Sequence, residues 1–421
     1  GLDTFEQGLI EVAQEWLDVA TLTSFITPFM SAALNVALPQ MGKEFSADGV
    51  TLGWIVNSYL LAAAMFLVPM GKIADLKGRK RIFMLGTWIF AATSLLLAFA
   101  PSSTVTIALR ALQGLGGAMV FGTGVALLTS VYPAGELGKA LGINVVAVYS
   151  GLSLGPFVGG FLTEQLGWRS IFVFATILEV AAAIVTTWKL KGEWVSAKEE
   201  KFDLGGSLLF SVTVAAVIYG FSSLPAPRGF WLVGSGALGL VAFVLWEAKA
   251  RYPVLDVGLF RDNPVFAFSS FAALLHYGAT WAVGFLLSLY LQFVKGLSPQ
   301  ETGLVLVLQP VVMAIFSPLA GGLSDRIEPR IVASLGMALT CLGLFVLASV
   351  AAGSSLLLIV MALIVLGFGF ALFSSPNSNA IMSSVDKRFY GVASGTLGTM
   401  RVIGQTLSMG ISMSLIAVFV G

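Results

Sequence analysis

Long apolar runs alternate with short polar breaks along this chain, at 19–39, 52–71, 82–100, 105–132, 140–163, 170–188, 205–224, 229–247, 265–292, 303–323, 331–350, 356–384 and 391–420. A helix needs about 20 apolar residues to cross the hydrocarbon core of a bilayer. Each run therefore predicts one membrane-spanning helix, thirteen in all. Ahead of the first run the period changes. In residues 1–18, Leu2, Phe5, Leu9, Val12, Ala13, Trp16 and Leu17 recur at helical spacing while Asp3, Glu6, Glu11, Glu15 and Asp18 take other faces. That pattern predicts a short amphipathic helix lying in the membrane interface. The stretch lacks the basic start and small-residue cleavage site of a signal peptide.

Composition agrees with an all-α polytopic membrane protein. Of 421 residues, 57% are hydrophobic and 11% charged, with a mean hydropathy of +0.92; soluble domains carry roughly a quarter charged residues. A net charge of +1 gives no electrostatic pull toward nucleic acid. Cys341 is the only cysteine and His276 the only histidine, which leaves no disulfide framework and no histidine or thiolate metal cluster. Neither metal nor cofactor is expected, and no nucleophile–base set points to an enzyme.

Basic residues in the breaks give the sidedness. One side collects seventeen, from Lys72, Lys77, Arg79, Lys80 and Arg81 to Lys387 and Arg388; the other holds only Lys43, Arg169, Arg228 and Lys295. The first side is expected in the cytoplasm, with the amino terminus, and the carboxyl terminus outside. An internal repeat runs through the same pattern. Gly114, Gly116 and Ala118 recur as Gly367, Gly369 and Ala371, and Gly138, Gly142 and Gly151 as Gly391, Gly395 and Gly404, always 253 positions later. Parallel halves of this kind are a transporter architecture. The expected organisation is an interfacial helix at 1–18 and an N-terminal six-helix bundle at 19–188. A linker with two inserted spans follows at 189–263, then a C-terminal bundle at 264–421 of five spans, one short of the first half.

The repeat includes a charged hairpin. Gly71 to Arg81 (GKIADLKGRKR) places Gly four residues before Asp75, ahead of a basic cluster, and Gly321 to Arg330 (GGLSDRIEPR) repeats this around Asp325. The first copy resembles the cytoplasmic loop signature of the major facilitator superfamily, with Gly71, Asp75, Gly78, Arg79 and Lys80 in register. Two further motifs are similar to those of its fourteen-span drug:proton antiporters, and the resemblance covers nearly the whole chain. Arg110–Gly116 (RALQGLG) resembles the intramembrane arginine motif. Gly151–Gly160 (GLSLGPFVGG), with Gly151, Gly155, Pro156, Gly159 and Gly160, resembles the motif that marks antiporters. The resemblance implies two pseudo-symmetric bundles, alternating access, a hairpin latch on one state, and an antiporter helix acting as pivot or seal. The alternatives are a topogenic basic loop and a generic small-residue packing face. The second copy is degenerate, with Glu328 and Pro329 where Gly78 and Arg79 stand in the first.

Candidate chemistry is sparse. A charge in the bilayer costs roughly 2.5–3.5 kcal/mol on insertion scales and marks a pathway or relay, which singles out Arg110, Glu179 and Arg401. Arg110 lies near enough to the outer face for snorkelling to compete with a relay role. Where the resemblance implies an aspartate in the first span this chain has Met30, so Glu179 is the only deep carboxylate and the candidate proton carrier, with a packing role as its alternative. His276 is a further proton or substrate contact, or a satisfied core residue. Polar groups avoid lipid, so Asn57, Tyr59, Gln113, Tyr290, Gln292 and Asn377, with the aromatic Trp54, are expected to line a substrate cavity. The function expected is proton-driven export of a lipophilic small molecule by a monomer in the cytoplasmic membrane. Its competitors are a uniporter or importer of a small metabolite on the same fold, and a non-transporting membrane sensor.

Overall fold

The computed structural model describes residues 2–131, 137–188, 201–324, 326–385 and 390–419, and all their regular structure is helical. The helices are α1 (Leu2–Phe45), α2 (Gly49–Lys77), α3 (Arg79–Ala98), α4 (Ser103–Val131), α5 (Leu137–Leu166), α6 (Arg169–Trp188), α7 (Leu204–Ser222) and α8 (Pro227–Glu247). They continue as α9 (Gly258–Asp262), α10 (Pro264–Thr280), α11 (Ala282–Leu289), a π turn (Tyr290–Val294), α12 (Pro299–Leu306), α13 (Leu308–Ser324), α14 (Pro329–Ala348), α15 (Leu356–Ser383) and α16 (Tyr390–Phe419). Thirteen spans among the described residues are long and apolar enough to cross a membrane, the number that the apolar runs predict. Asp325 and residues 189–200 of the expected linker lie outside the described residues.

Three boundaries differ from the sequence reading. Residues 2–18 are helical but continue into the first span without a break, because no Gly or Pro interrupts the chain between 9 and 27; their side chains up to Gln14 lie outside the described residues. The run at 265–292 divides into α10 and α11 at Trp281 and ends in the π turn. The run at 303–323 divides into α12 and α13 at Val307. Pro310 explains this second break, since it has no N–H for the Leu306 carbonyl.

Compactness divides the chain into two units. Unit 1 comprises residues 1–27, 54–148 and 172–257, and unit 2 comprises residues 28–53, 149–171 and 258–421. These limits cut α1 and α5, so the units do not coincide with the two sequence repeats. Unit 1 holds the inserted α7–α8 hairpin. Of the thirteen spans α8 is the least covered by protein, with Phe230, Trp231 and Leu238 exposed as a lipid-facing surface.

The repeat is visible in packing, unit by unit. In unit 1 a β-carbon placed on Gly116 of α4 would sit 2.9 Å from the Gly86 carbonyl oxygen of α3. In unit 2 a β-carbon on Gly369 of α15 would sit 2.9 Å from the Gly336 carbonyl oxygen of α14. Gly114 likewise touches the backbone of Tyr59 on α2, and Gly367 that of Gln309 on α13. Helices in lipid gain nothing by hiding apolar surface from each other, so backbone-to-backbone approach at small residues supplies the attraction.

Prolines add a second kind of joint. Pro69 inside α2 cannot bond the Met65 carbonyl, and Ser211 Oγ of the inserted helix α7 donates to it at 2.8 Å. Pro39 inside α1 frees the Asn35 carbonyl, which accepts from Ser288 Oγ of α11. With no water in the bilayer core, a freed carbonyl must find such a donor. Ser288→Ala is expected to destabilise the detergent-solubilised protein by about 1 kcal/mol, read from its unfolding midpoint. In a Pro39→Ala background, where the helix regains its missing N–H, the same change is expected to cost much less. Equal costs in both backgrounds would refute the pairing.

Candidate functional site

Unit 1 carries the charged hairpin. Helix α2 stops at Lys77, Gly78 turns the chain at φ 114°, and α3 starts at Arg79. Any side chain would be strained at that angle, which fixes glycine there. The turn folds Arg79 back onto Asp75, whose Oδ1 accepts from Nε and lies 2.8 Å from Nη2. Asp75 and Arg79 are therefore partners within one hairpin. The pair is partly exposed and worth about 0–1 kcal/mol, so it is easily exchanged for another. Gly71 lies against the Gly122 carbonyl of α4, and Lys80 follows Arg79 in the first turn of α3. In the degenerate second copy the pair is Arg330 with Glu328, 2.7 Å apart and largely exposed.

Deeper in unit 1, Arg110 draws Gln113 and Tyr59, two of the residues expected at a cavity, into one polar knot. It is 1% exposed, so it does not snorkel. Its Nε donates to the Ile55 carbonyl at 3.1 Å and its Nη1 to Gln113 Oε1, while its guanidinium lies 4.5 Å from the Tyr59 ring centre. Gln113 passes the chain on, its Nε2 donating to Ser94 Oγ at 2.7 Å. Asn57 is fully buried nearby in sequence, with neither amide atom hydrogen-bonded. Trp54 packs on Tyr219 of α7 at 5.6 Å. Glu179 is 2% exposed in the middle of α6, and its Oε2 has no hydrogen-bond partner. A carboxyl so placed carries a proton at lower cost than a charge.

Unit 2 contains the Gly151–Gly160 stripe. A β-carbon on Gly155 would fall 2.7 Å from the Ala32 β-carbon, and one on Gly159 2.5 Å from that of Ala33. On the next face Gly160 meets the Pro299 carbonyl, 2.6 Å from where its β-carbon would be, and Gly303 of α12 meets the Pro156 carbonyl. The stripe thus wedges α5 between α1 and α12, with Gly151 also buried in it. Polar contacts continue the seam toward the ends of these helices. The Trp168 backbone N–H donates to Gln40 and its indole to Glu44, 2.8 and 2.7 Å away, while Arg169 pairs with Glu44 at 2.7 Å. Glu164 at the end of α5 accepts from the Gln300 backbone N–H at 3.0 Å. Gln292 belongs here too, its Nε2 donating to the Val36 carbonyl at 2.9 Å.

The remaining expected residues separate within unit 2. Tyr290 donates to the Ala351 carbonyl at 2.7 Å, in the loop before α15. Asn377 donates to the Ser269 carbonyl at 3.0 Å and ties α15 to α10. His276 is 1% exposed and stacked 4.1 Å from Phe373, with Nε2 3.3 Å from Thr340 Oγ1 and Nδ1 without a partner. Arg401 lies partly exposed, 5.9 Å from the Tyr277 ring centre.

The sequence assigned Arg110 to proton coupling and Gln113 and Tyr59 to a cavity, whereas the structure joins the three; Ser94, Ser288, Gln40, Glu44, Glu164 and Trp168 went unread. Only Ser288 had a readable signal, the carbonyl freed by Pro39.

The Major Facilitator Superfamily profile matches residues 20–409. Among curated proteins, the chain is 33% identical to the multidrug resistance protein Stp of Mycobacterium tuberculosis, covering 95% of this chain and 75% of that one. It is 28% identical to the riboflavin transporter RibZ of Clostridioides difficile, over 94% and 86%. It is also 28% identical to the tetracenomycin C resistance and export protein of Streptomyces glaucescens, over 93% and 73%. A crystal structure of a peptide transporter POT variant with alafosfalin shares the fold at TM-score 0.70 and 16% identity, covering 96% of this chain and 94% of that one. Thirteen spans, a glycine contact repeated in both halves and a profile match over nearly the whole chain have one reading: this multi-pass membrane protein belongs to the Major Facilitator Superfamily.

Proposed function

We propose that the chain is a secondary active exporter of lipophilic small molecules, driven by inward proton flow and working by alternating access. It sits in the cytoplasmic membrane with its Lys/Arg-rich loops in the cytoplasm. The observation that carries this reading is the seam in unit 2, where Gly155, Gly159 and Gly160 let α5 lie against both α1 and α12. Helices of both sequence repeats meet there with backbone close to backbone. Such a joint separates and reforms at little cost. Relatives named for multidrug resistance and for export support the outward direction.

Glu179 is the proposed proton carrier. It is a buried carboxyl with an unbonded oxygen, and the first span offers Met30, fully buried, in place of an acid. The Asp75–Arg79 hairpin is the proposed latch, its partners exchanged as the carrier changes state. A second reading, transport of a metabolite without protons, draws on the resemblance to RibZ and on the same Met30.

Reconstituted into proteoliposomes with an imposed pH gradient, the wild type is expected to move a lipophilic dye outward only while protons move inward. Glu179→Gln is expected to reduce gradient-driven transport at least about tenfold while leaving gradient-independent dye exchange in place. Equal transport with and without a gradient favours the metabolite reading, and unchanged coupling in the variant makes Glu179 a packing residue.

Asp75→Asn is expected to slow transport about tenfold with dye affinity within about twofold of wild type. A large loss of affinity would place Asp75 at the substrate instead of in a latch.

A further inference from the structure

Arg110 and Arg401 are the two arginines set well inside spans, and their surroundings differ. Arg110 is satisfied from within, by the Ile55 carbonyl, Gln113 and the Tyr59 ring. Arg401 is not. Among the described residues its guanidinium has no ion pair and no hydrogen bond, only the edge of the Tyr277 ring field at 5.9 Å. The described acids of unit 2 are placed elsewhere. Glu44 goes to Arg169 and Trp168, Asp48 to the start of α2, Glu164 to Gln300, Glu301 to the capping box of α12 and Glu328 to Arg330, while Asp262 is exposed in α9. A cation kept in a span without a counter-charge is costly and calls for a partner.

What surrounds it is aromatic and hydroxylated. Tyr277 of α10 meets Phe370 of α15 at 5.5 Å and 80°, an edge-to-face pair. Tyr149 of α5 lies within electrostatic reach of Tyr277 and Arg401 and near Ser317 and Ser374. Five helices of unit 2 thus bring to one mid-span locality a guanidinium without an ion pair among the described residues, two phenols, an aromatic ring and two hydroxyls. Aromatic walls take a flat ring. A guanidinium takes a carboxylate, sulfonate or phenolate oxygen through charge-assisted hydrogen bonds.

We infer that Arg401 is the recognition cation for the acidic group of a planar aromatic anion, with Tyr149, Tyr277 and Phe370 holding its rings. This rests on the transport reading, since it names the substrate class of that carrier. It also runs against a cation preference, for which the first span would need an acid where Met30 stands. The anion supplies the missing counter-charge and leaves with it when the carrier changes state.

Two xanthene dyes of nearly equal shape and opposite charge test this: fluorescein, an anion, and rhodamine 123, a cation. The full chain in nanodiscs is titrated with each by fluorescence polarisation, with no gradient applied. Wild type is expected to bind fluorescein about tenfold or more tightly than rhodamine 123. Arg401→Gln is expected to weaken fluorescein about thirtyfold while rhodamine 123 stays within about twofold, and Arg401→Lys to fall between. A merely structural arginine would move both dyes together. Absence of fluorescein binding, a wild-type preference for rhodamine 123, or equal losses of both dyes in Arg401→Gln overturns the assignment. If neither variant folds, the wild-type ratio decides alone. Because binding needs no gradient, fluorescein preference without proton-coupled movement sinks the transport reading only, and rhodamine transport without fluorescein binding sinks this inference only.

Discussion

A bilayer supplies no water to a helix whose backbone bonds are broken, and no hydrophobic force to push helices together. Everything this chain does with its polar atoms follows from that. Pro69 and Pro39 each free a carbonyl, and in each case a serine from another helix takes it, Ser211 for Met65 and Ser288 for Asn35. Where side chains do not reach, glycines bring backbones into contact, as Gly86 with Gly116 and Gly336 with Gly369. The structure is a set of helices joined at such points. That is a different basis from a packed soluble core, where loss of apolar surface to water does most of the work.

The same constraint explains the seam in unit 2. Between α5 and its neighbours lie Gly155, Gly159 and Gly160, so contact is backbone on backbone or on alanine. At the helix ends the seam changes character, to Glu44 with Arg169 and Trp168 and Glu164 with Gln300. Inner contacts of this kind have little to unlock. The outer ones are polar and partly exposed, and exchange readily with water.

The number and place of the spans were legible in hydropathy alone, because a bilayer fixes helix length. The duplication was legible from a constant offset of glycines, and the contacts at Gly116 and Gly369 explain the offset: each repeat needs a small residue at that crossing. The glycine–proline stripe at 151–160 was legible as a packing face for the same reason. What the sequence did not carry is pairing between distant residues. Tyr290 and Gln292 read as cavity-lining polar groups, yet Tyr290 bonds the Ala351 carbonyl in a loop and Gln292 the Val36 carbonyl of α1, backbone acceptors that lie far away in sequence. Arg110 and Arg401 looked alike for the complementary reason. Burial and partners separate them, and neither is written in a single run of residues.

The central claim is that the α5–α12 contact opens and reforms as the carrier turns over. Cys341 is the only cysteine, so a Cys341→Ser background accepts spin labels at Leu166 and Leu304, both exposed on those helices. Double electron–electron resonance in sealed proteoliposomes then reads the distance between them. The account predicts one short distance in the resting protein and a second, longer population when dye and a pH gradient are supplied. A single unchanged distance under both conditions would contradict it.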